Sequence, residues 1–526
     1  MDPFRGRGAG VPAGRPTRLP PVTLETLWRW RVALMAGGVG LLAAIVRFVS
    51  LGFPTTLVFD EVFYARGAWS LIALGHEGEW GGENQDFANG DDSQLSTEGD
   101  YVVHPLTGKL LIGVGMRIFG PTPFGWRFVG AVLGVATVIM VAFIARHLLR
   151  STLWGAVAGT LLAVEGEHIV LSRSALLDGY MTFFVVAGLG LLVLDRARTR
   201  RRLLAAADAA RTQEGLSPGD TLPGMGPATG LRWWRLAAIV AFALSATVKW
   251  SGLWFAAAFL ILSVIWDWAD RREAGVERWF LGGLVRAVPA AAATVVITVG
   301  VYLASWIPWF RSDESYGRHW AENHPGEGIT WLPEGLRSLV HYHEQMLEFH
   351  RNLDSPHNYE SNPWLWPLQY RPTAFHFEDV PDADCGAERC VSAIHALGHP
   401  FIWWFGVAVL VYALWRIVRH RDLTALTVSV GVLAAWVPWL PFAHRTIFTF
   451  YTVAMAPFVV LLVTWGLKRI AQPDRLGGEW STAGAVFAGL YVGAVLIAAG
   501  FFLPIWTGMP IPFEYWQLHM WLPSWV

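Results

Sequence analysis

Apolar stretches long enough to cross a lipid bilayer recur along this chain, near 31–53, 125–147, 152–172, 179–195, 233–249, 252–268, 284–306, 400–418, 423–441, 447–467 and 481–503. A spanning helix needs about 20 mostly apolar residues, because without water every backbone N–H and C=O must be bonded within the segment. Eleven such stretches argue against a water-soluble globule and predict an all-α polytopic membrane protein of about 11 transmembrane helices. Composition agrees where it matters. Only 15% of the residues are charged, against roughly a quarter in soluble domains, too few to coat a surface that faces water all round. The net charge of −1 gives no electrostatic case for a nucleic-acid partner.

The run 106–120 is the ambiguous one, being short, broken by glycine and carrying Lys109 and Arg117. The positive-inside rule decides it. With 106–120 outside the membrane, Arg146/Arg150, Arg196–Arg202, Arg232/Arg235, Arg271/Arg272, Arg416–Arg421 and Lys468/Arg469 all fall on the cytoplasmic side. The run therefore reads as an amphipathic helix on the outer surface. The N-terminus is expected in the cytoplasm, and the C-terminus and working face outside. Residues 1–27 read as a disordered cytoplasmic tail, 28–306 as an N-terminal transmembrane catalytic module, 307–399 as a large external loop, 400–503 as C-terminal transmembrane helices and 504–526 as an external tail. Inside the first module, the external loop 54–124 holds an acidic, Gly-rich stretch, 76–100, that reads as mobile. The cytoplasmic linker 196–232 reads as unstructured in its second half.

Charged side chains at the mouths of apolar helices are costly and mark functional candidates. The first cluster is Asp60 and Glu61 after the first span, which also suits a helix N-cap with an acidic first turn. His104 and Lys109 precede the surface helix, where lysine can anchor at the interface or meet a phosphate. Arg127 opens the second span, and Arg173 and Asp178 share a tight external turn where they could clamp each other. Lys249, and then His444 with Arg445, occupy two further external turns. Lys109, Arg127, Arg173, Lys249 and Arg445 together place cations on the face where the positive-inside rule disfavours them. They suit an anionic lipid headgroup, with phosphate the natural guess.

In the large loop, His341, His343, Glu344, Glu348 and His350 could be read as a metal site, but their spacing fits a solvated helix stripe better. Cys385 and Cys390 sit in an external C-x4-C, where a small disulfide loop is the stronger reading than a metal pair.

Seven short motifs, in order, resemble the protein O-mannosyltransferase family in its bacterial, actinobacterial-type branch. They are F-D-E at 59–61, H-P-x-x-G-K at 104–109, W-R-F-V-G at 126–130, L-L-D at 176–178, K-W-S-G-L-W at 249–254, H-x-Y-x-S-x-P-W-x-W-P-L at 357–368 and H-R-x-x-F-x-F-Y at 444–451. The resemblance implies the C-type membrane glycosyltransferase fold, with external juxtamembrane helices in the first loop. It implies a polyprenyl-phosphate mannose donor, Ser or Thr of secreted or membrane proteins as acceptors, and inversion at the sugar carbon. By the same analogy Asp60 is the general base, Glu61 and His104 orient the site, and Arg127 and Arg445, then Lys249 and Lys109, hold the donor phosphate. Asp178, Arg173, His444, His357 and Trp364 are expected to bind or orient substrate. No cofactor is expected to be required. Other C-type transferases bind a divalent metal, but the reading here leans against one.

Two features depart from the family. Eukaryotic members carry a β-trefoil module in the large loop, which 307–399 is too short to hold, and their H-P-P is H-P-L at 104–106. The expected setting is the plasma membrane, with the secretion translocon as a plausible partner. The competing readings are a transferase of the same superfamily acting on a glycolipid or lipoglycan, and a lipid or solute transporter. Against the transporter, the charged residues gather at one membrane face and not at the midplane.

Overall fold

The computed structural model describes residues 24–381 and 383–526. Most of the predicted tail 1–27 lies outside the described residues, and its last residues already belong to the first helix. The apolar stretches fold as helices: α1 (Leu24–Phe48), α4 (Pro123–Leu149), α5 (Thr152–Ala163), α6 (Gly166–Ser172), α7 (Leu177–Gln213), α8 (Trp233–Val248), α9 (Gly252–Glu273) and α10 (Trp279–Ser305). After the large loop come α12 (Pro400–His420), α13 (Leu423–Trp436), α14 (Ala456–Ala471) and α15 (Thr482–Thr507). Eight helices among the described residues are long and apolar enough to cross a membrane by themselves.

The other three predicted stretches behave differently. The stretch 152–172 breaks into α5 and α6 at Val164–Glu165, because the Glu165 carboxylate accepts the His168 N–H at 2.7 Å and caps a new helix. The stretch 233–249 yields the 16-residue α8, and 447–467 divides between a 3-10 turn, Thr449–Ala454, and the 16-residue α14.

The helix α7 is central: it packs on α4, α8 and α9, while α1 and α5 cover α4. Small residues let the backbones approach. A Cβ on Gly188 of α7 would come within 2.4 Å of the Phe242 ring on α8. By contrast α10 is peripheral, with Val288, Val295 and Val296 all more than 60% exposed along a helix whose one charged residue is Arg286. Such a surface is what a lipid-facing helix presents.

In the first loop, α2 (Glu61–Ala73) and α3 (Thr107–Phe119) pack on each other. The helix α3 has 13 residues, which at 1.5 Å per residue makes it about 20 Å long, short of the roughly 30 Å of a hydrocarbon core. It buries Lys109, Ile112 and Met116 and exposes Leu110, Val114 and Ile118, as an interfacial helix should. The stretch 76–100, read as mobile, is instead folded: strand β1 (Gly78–Trp80) pairs antiparallel with β2 (Leu95–Gly99), and Phe87 between them is buried against Trp126. Long-range contacts order a segment whose composition suggests none. Likewise the linker 196–232, expected to be unstructured in its second half, stays helical to Gln213, and its irregular remainder is tied down by Leu222 pairing with the backbone of residues 275 and 277.

The large loop contains α11 (Glu334–Asn352) and a three-stranded sheet in which β3 (Thr373–Asp379), β4 (Cys390–Ala396) and β5 (Ile511–Pro512) lie in that order, all antiparallel. The C-terminal segment thus closes back on the loop, with Trp525 buried and Arg371 donating to the Ser524 carbonyl at 2.8 Å. Cys385 and Cys390 form a disulfide at the β3–β4 turn.

Candidate active site

The loop after α1 turns sharply into α2. Phe59 takes left-handed backbone (φ 47°), which costs a bulky residue on the order of 1–2 kcal/mol. The conformation is held by ring packing on Phe375 at 4.8 Å, Phe450 at 5.4 Å and Phe448 at 5.7 Å. Strain imposed this way aims the next side chain.

That side chain is Asp60. It occupies the N-cap position of α2 without capping it, and among the described residues its carboxylate accepts no hydrogen bond. The N-cap alternative holds for position, with Glu61 in the first turn, but not for the Asp60 side chain. Burial pushes the Asp60 carboxyl up to about 6; Lys249 opposes that rise and Asp178 adds to it. Asp60 is half-buried, poised and unengaged.

Glu61 has the opposite environment. It is fully buried and accepts four hydrogen bonds, from Arg127 Nε at 2.9 Å, Arg127 Nη2 at 2.8 Å, the Val58 N–H at 3.0 Å and the Ala175 N–H at 2.9 Å. Arg127 also donates to the carbonyls of Pro54 and Thr56 at 2.7 and 2.9 Å. Arg127, expected to hold the donor phosphate, is 1% exposed with its guanidinium bonded to Glu61 and to backbone carbonyls, a geometry that favours a positioning role. Glu61 and Arg127 form a bracket that fixes the Asp60 turn to α4 and to the loop before α7.

Three more of the predicted cations are occupied. Lys109 is buried in an ion pair with Glu77. Arg173 does not pair with Asp178 but donates to the carbonyls of Val46, Arg47, Val49 and Ser50, closing the end of α1. Lys249 Nζ bridges both oxygens of Asp178 at 2.9 and 3.0 Å and sits 4.1 Å from the centroid of the Tyr451 ring. Arg445, on the turn before Tyr451, is half-buried, has no carboxylate partner among the described residues and leaves its Nε without an acceptor. It is the cation free to meet an anion. His444 beside it is exposed.

His104 stacks on His350 at 5.2 Å and lies 6.2 Å from the Tyr64 ring. Burial first, then Lys249 and His350, hold its pKa well below the ordinary histidine value, so it is a neutral group. His357 is exposed and packs edge-on against Phe448 at 4.9 Å, next to Phe59. Trp364 is 59% exposed, and its neighbour Trp366 is buried on Trp439. Among the described residues no set of three His, Cys, Asp or Glu side chains is arranged to hold a metal. His341 lies flat on Trp320 at 4.0 Å, and His343 accompanies Tyr302 at 2.7 Å.

Sequence reasoning passed over three groups. Glu77, the partner of Lys109, carries no local signal. Tyr451 lay inside a quoted motif without a role. Glu165 and Glu167 are acids within an apolar run, a signal that was available; Glu165 accepts from the His399 N–H and Trp403 Nε1 at 3.0 Å, and Glu167 from Thr452 at 2.7 Å.

Two family models match the chain: one described as dolichyl-phosphate-mannose-protein mannosyltransferase over residues 122–205, the other as the C-terminal four TMM region of protein-O-mannosyltransferase over residues 336–525. The chain is 38% identical over 525 residues to a polyprenol-phosphate-mannose–protein mannosyltransferase of Mycobacterium tuberculosis H37Rv, covering 98% of this chain and 96% of that one. It is 31% identical over 532 residues to the protein of the same name in Corynebacterium glutamicum, covering 99% and 98%. Among solved structures it is similar to the Saccharomyces cerevisiae protein O-mannosyltransferase Pmt1–Pmt2 complex bound to the sugar donor, with TM-score 0.66, 15% identity and coverage of 96% and 93%. The Archaeoglobus fulgidus oligosaccharyltransferase in its apo form is more distant, with TM-score 0.50, 12% identity and coverage of 94% and 58%. At these identities the structural likeness shows the fold alone, and it is the C-type glycosyltransferase fold that the resemblance implied.

Proposed function

Because this chain belongs to the protein O-mannosyltransferase family, we propose that it transfers mannose from polyprenyl-phosphate mannose to Ser or Thr of proteins emerging on the outer face of the plasma membrane, with Asp60 as general base. The observation that carries the assignment is the contrast between two adjacent carboxylates. Glu61 is saturated by donors, whereas Asp60 is unbonded beside the Lys249–Asp178 pair. A hydroxyl is a poor nucleophile at neutral pH, and a positioned carboxylate corrects that.

In the reaction the acceptor oxygen forms a bond to the anomeric carbon while its proton passes to Asp60. The bond from that carbon to the donor phosphate oxygen breaks on the opposite side, inverting the centre and releasing polyprenyl phosphate as an anion. Arg445 is the group to receive the growing charge. Lys249, already neutralised by Asp178, contributes field and position. Lys109 is spent on Glu77. The neutral His104, beside Tyr64 and His350, and the exposed His357, edge-on to Phe59 and Phe448, are assigned to orienting substrate, with the exposed Trp364 a further contact for the acceptor. The orientation follows the basic loops, with the N-terminus cytoplasmic and Asp60 external. A translocon partner follows from that orientation, since acceptors would arrive unfolded.

The test supplies membranes with labelled polyprenyl-phosphate mannose and a Thr/Pro-rich peptide. Mannose on peptide threonine is the expected result; label that enters lipid but never peptide would replace this reading with a glycolipid transferase. Arg445→Gln is expected to lower kcat/KM for the donor by roughly tenfold or more, on the scale of a hydrogen bond to a charged group. Unchanged kinetics would remove Arg445 from the phosphate site.

A further inference from the structure

Asp178, in the external cluster, and Thr199 sit on the same helix, and at 1.5 Å per residue they are roughly 30 Å apart. Thr199 lines a cavity of about 410 Å³ at the opposite end of α7 from Asp178, between α7, α8, α9, α10 and the linker after α7. Four arginines and two aspartates line it: Arg232, Arg235, Arg271 and Arg286 against Asp267 and Asp270.

The acids are already shared. Asp267 takes Arg232 at 2.6 Å and Arg235 at 2.9 Å, and Asp270 takes Arg196 at 3.1 Å and Arg200 at 3.7 Å. Arg271 and Arg286 have no carboxylate among the described residues. Both converge on one short turn of the linker, Arg271 donating to the Met225 and Pro227 carbonyls at 3.1 and 3.3 Å and Arg286 to the Gly226 carbonyl at 2.9 Å. The Nε atoms of Arg235, Arg271 and Arg286 are buried without an acceptor, and Arg235 and Arg271 are only 4% and 3% exposed as residues. Arg271 and Arg286, bonded only to backbone carbonyls, leave positive charge on the wall of one cavity, which a tetrahedral oxyanion would match. One wall of the cavity is Val285 and Pro289 of α10, the helix whose outer surface is apolar and exposed. An acyl chain can lie there while the headgroup enters, the arrangement of basic pockets between spanning helices.

We infer that this cavity is a second binding site, for a phosphate-bearing anion, and that the headgroup of an anionic phospholipid fills it. Free phosphate shares the chemistry, so the test separates the two sources. The purified full-length protein in neutral detergent is titrated with phosphatidylglycerol, with phosphatidylcholine and with inorganic phosphate. Bound lipid is counted by native mass spectrometry and phosphate binding is read by thermal shift. One phosphatidylglycerol is expected to bind in preference to phosphatidylcholine, and Arg286→Gln to weaken it about tenfold, the scale of one charge-assisted hydrogen bond. Arg286 is half-buried and makes one hydrogen bond to the linker, so this variant is the mild one; Arg271→Gln is the severe one. Inorganic phosphate that stabilises the wild type but not Arg286→Gln, with no preference for phosphatidylglycerol over phosphatidylcholine, overturns the lipid and makes the free anion the source. Phosphatidylglycerol binding that is no tighter than phosphatidylcholine, or unaltered in both variants, overturns the inference. The readout is binding and not sugar transfer, so it stands apart from the assignment of Asp60.

Discussion

Asp60→Asn is expected to lower kcat for mannose transfer by roughly 10²–10⁴-fold, the usual worth of a general base, while the donor still binds. The pH dependence sharpens the expectation. The base must be ionised to accept a proton, and burial has raised its pKa to about 6. Activity of the wild type should therefore fall as pH drops through about 6, two units above where an ordinary aspartate would begin to fail. The sign for stability is opposite. A carboxyl with a raised folded-state pKa binds its proton more tightly when folded, so ionising it costs stability as pH rises through the range between its ordinary value and about 6. Asn carries no charge, and the variant is expected to melt no lower than the wild type at neutral pH. A variant that is inactive only because it is misfolded would melt lower, and an active Asp60→Asn enzyme would end the assignment.

Arg127→Met should be the most destabilising single substitution around the Asp60 turn. It strands the Glu61 carboxylate, 0% exposed, with its counter-charge removed, and it frees the carbonyls of Pro54 and Thr56. Removing one partner of a buried pair typically costs about 3–5 kcal/mol. That loss should appear as a sharp fall in folded yield and melting temperature of the detergent-solubilised protein. Glu61→Gln keeps a neutral acceptor opposite the guanidinium and is expected to be milder in stability. It still loosens the turn that aims Asp60 and should lower kcat. Pairing both substitutions in a double-mutant cycle should give a coupling energy on the order of 0.5–3 kcal/mol. Independent, additive effects would mean that the bracket is not what positions Asp60.

The sequence by itself determined the membrane class, because hydropathy sums over a local window and needs no knowledge of neighbours. It marked 107–119 as a helix too short and too charged to span, since charge and length are local too. It also singled out Asp60–Glu61 through an unusual acidic pair at a helix mouth, and the family through ordered motifs. It did not determine which charges are free. Glu77 and Lys109 are 32 residues apart, Glu61 and Arg127 are 66, Asp178 and Lys249 are 71. Each of those pairs exists only because helices distant in the chain pack side by side, and no window of sequence contains both members. The same holds for the folding of 76–100, where the burial of Phe87 against Trp126 outweighs a glycine-rich composition. Five cations expected on the outer face therefore looked alike in the sequence. Packing neutralised Lys109, Arg127 and Lys249, tied Arg173 to backbone carbonyls, and left Arg445 free of any carboxylate among the described residues and Asp60 unbonded.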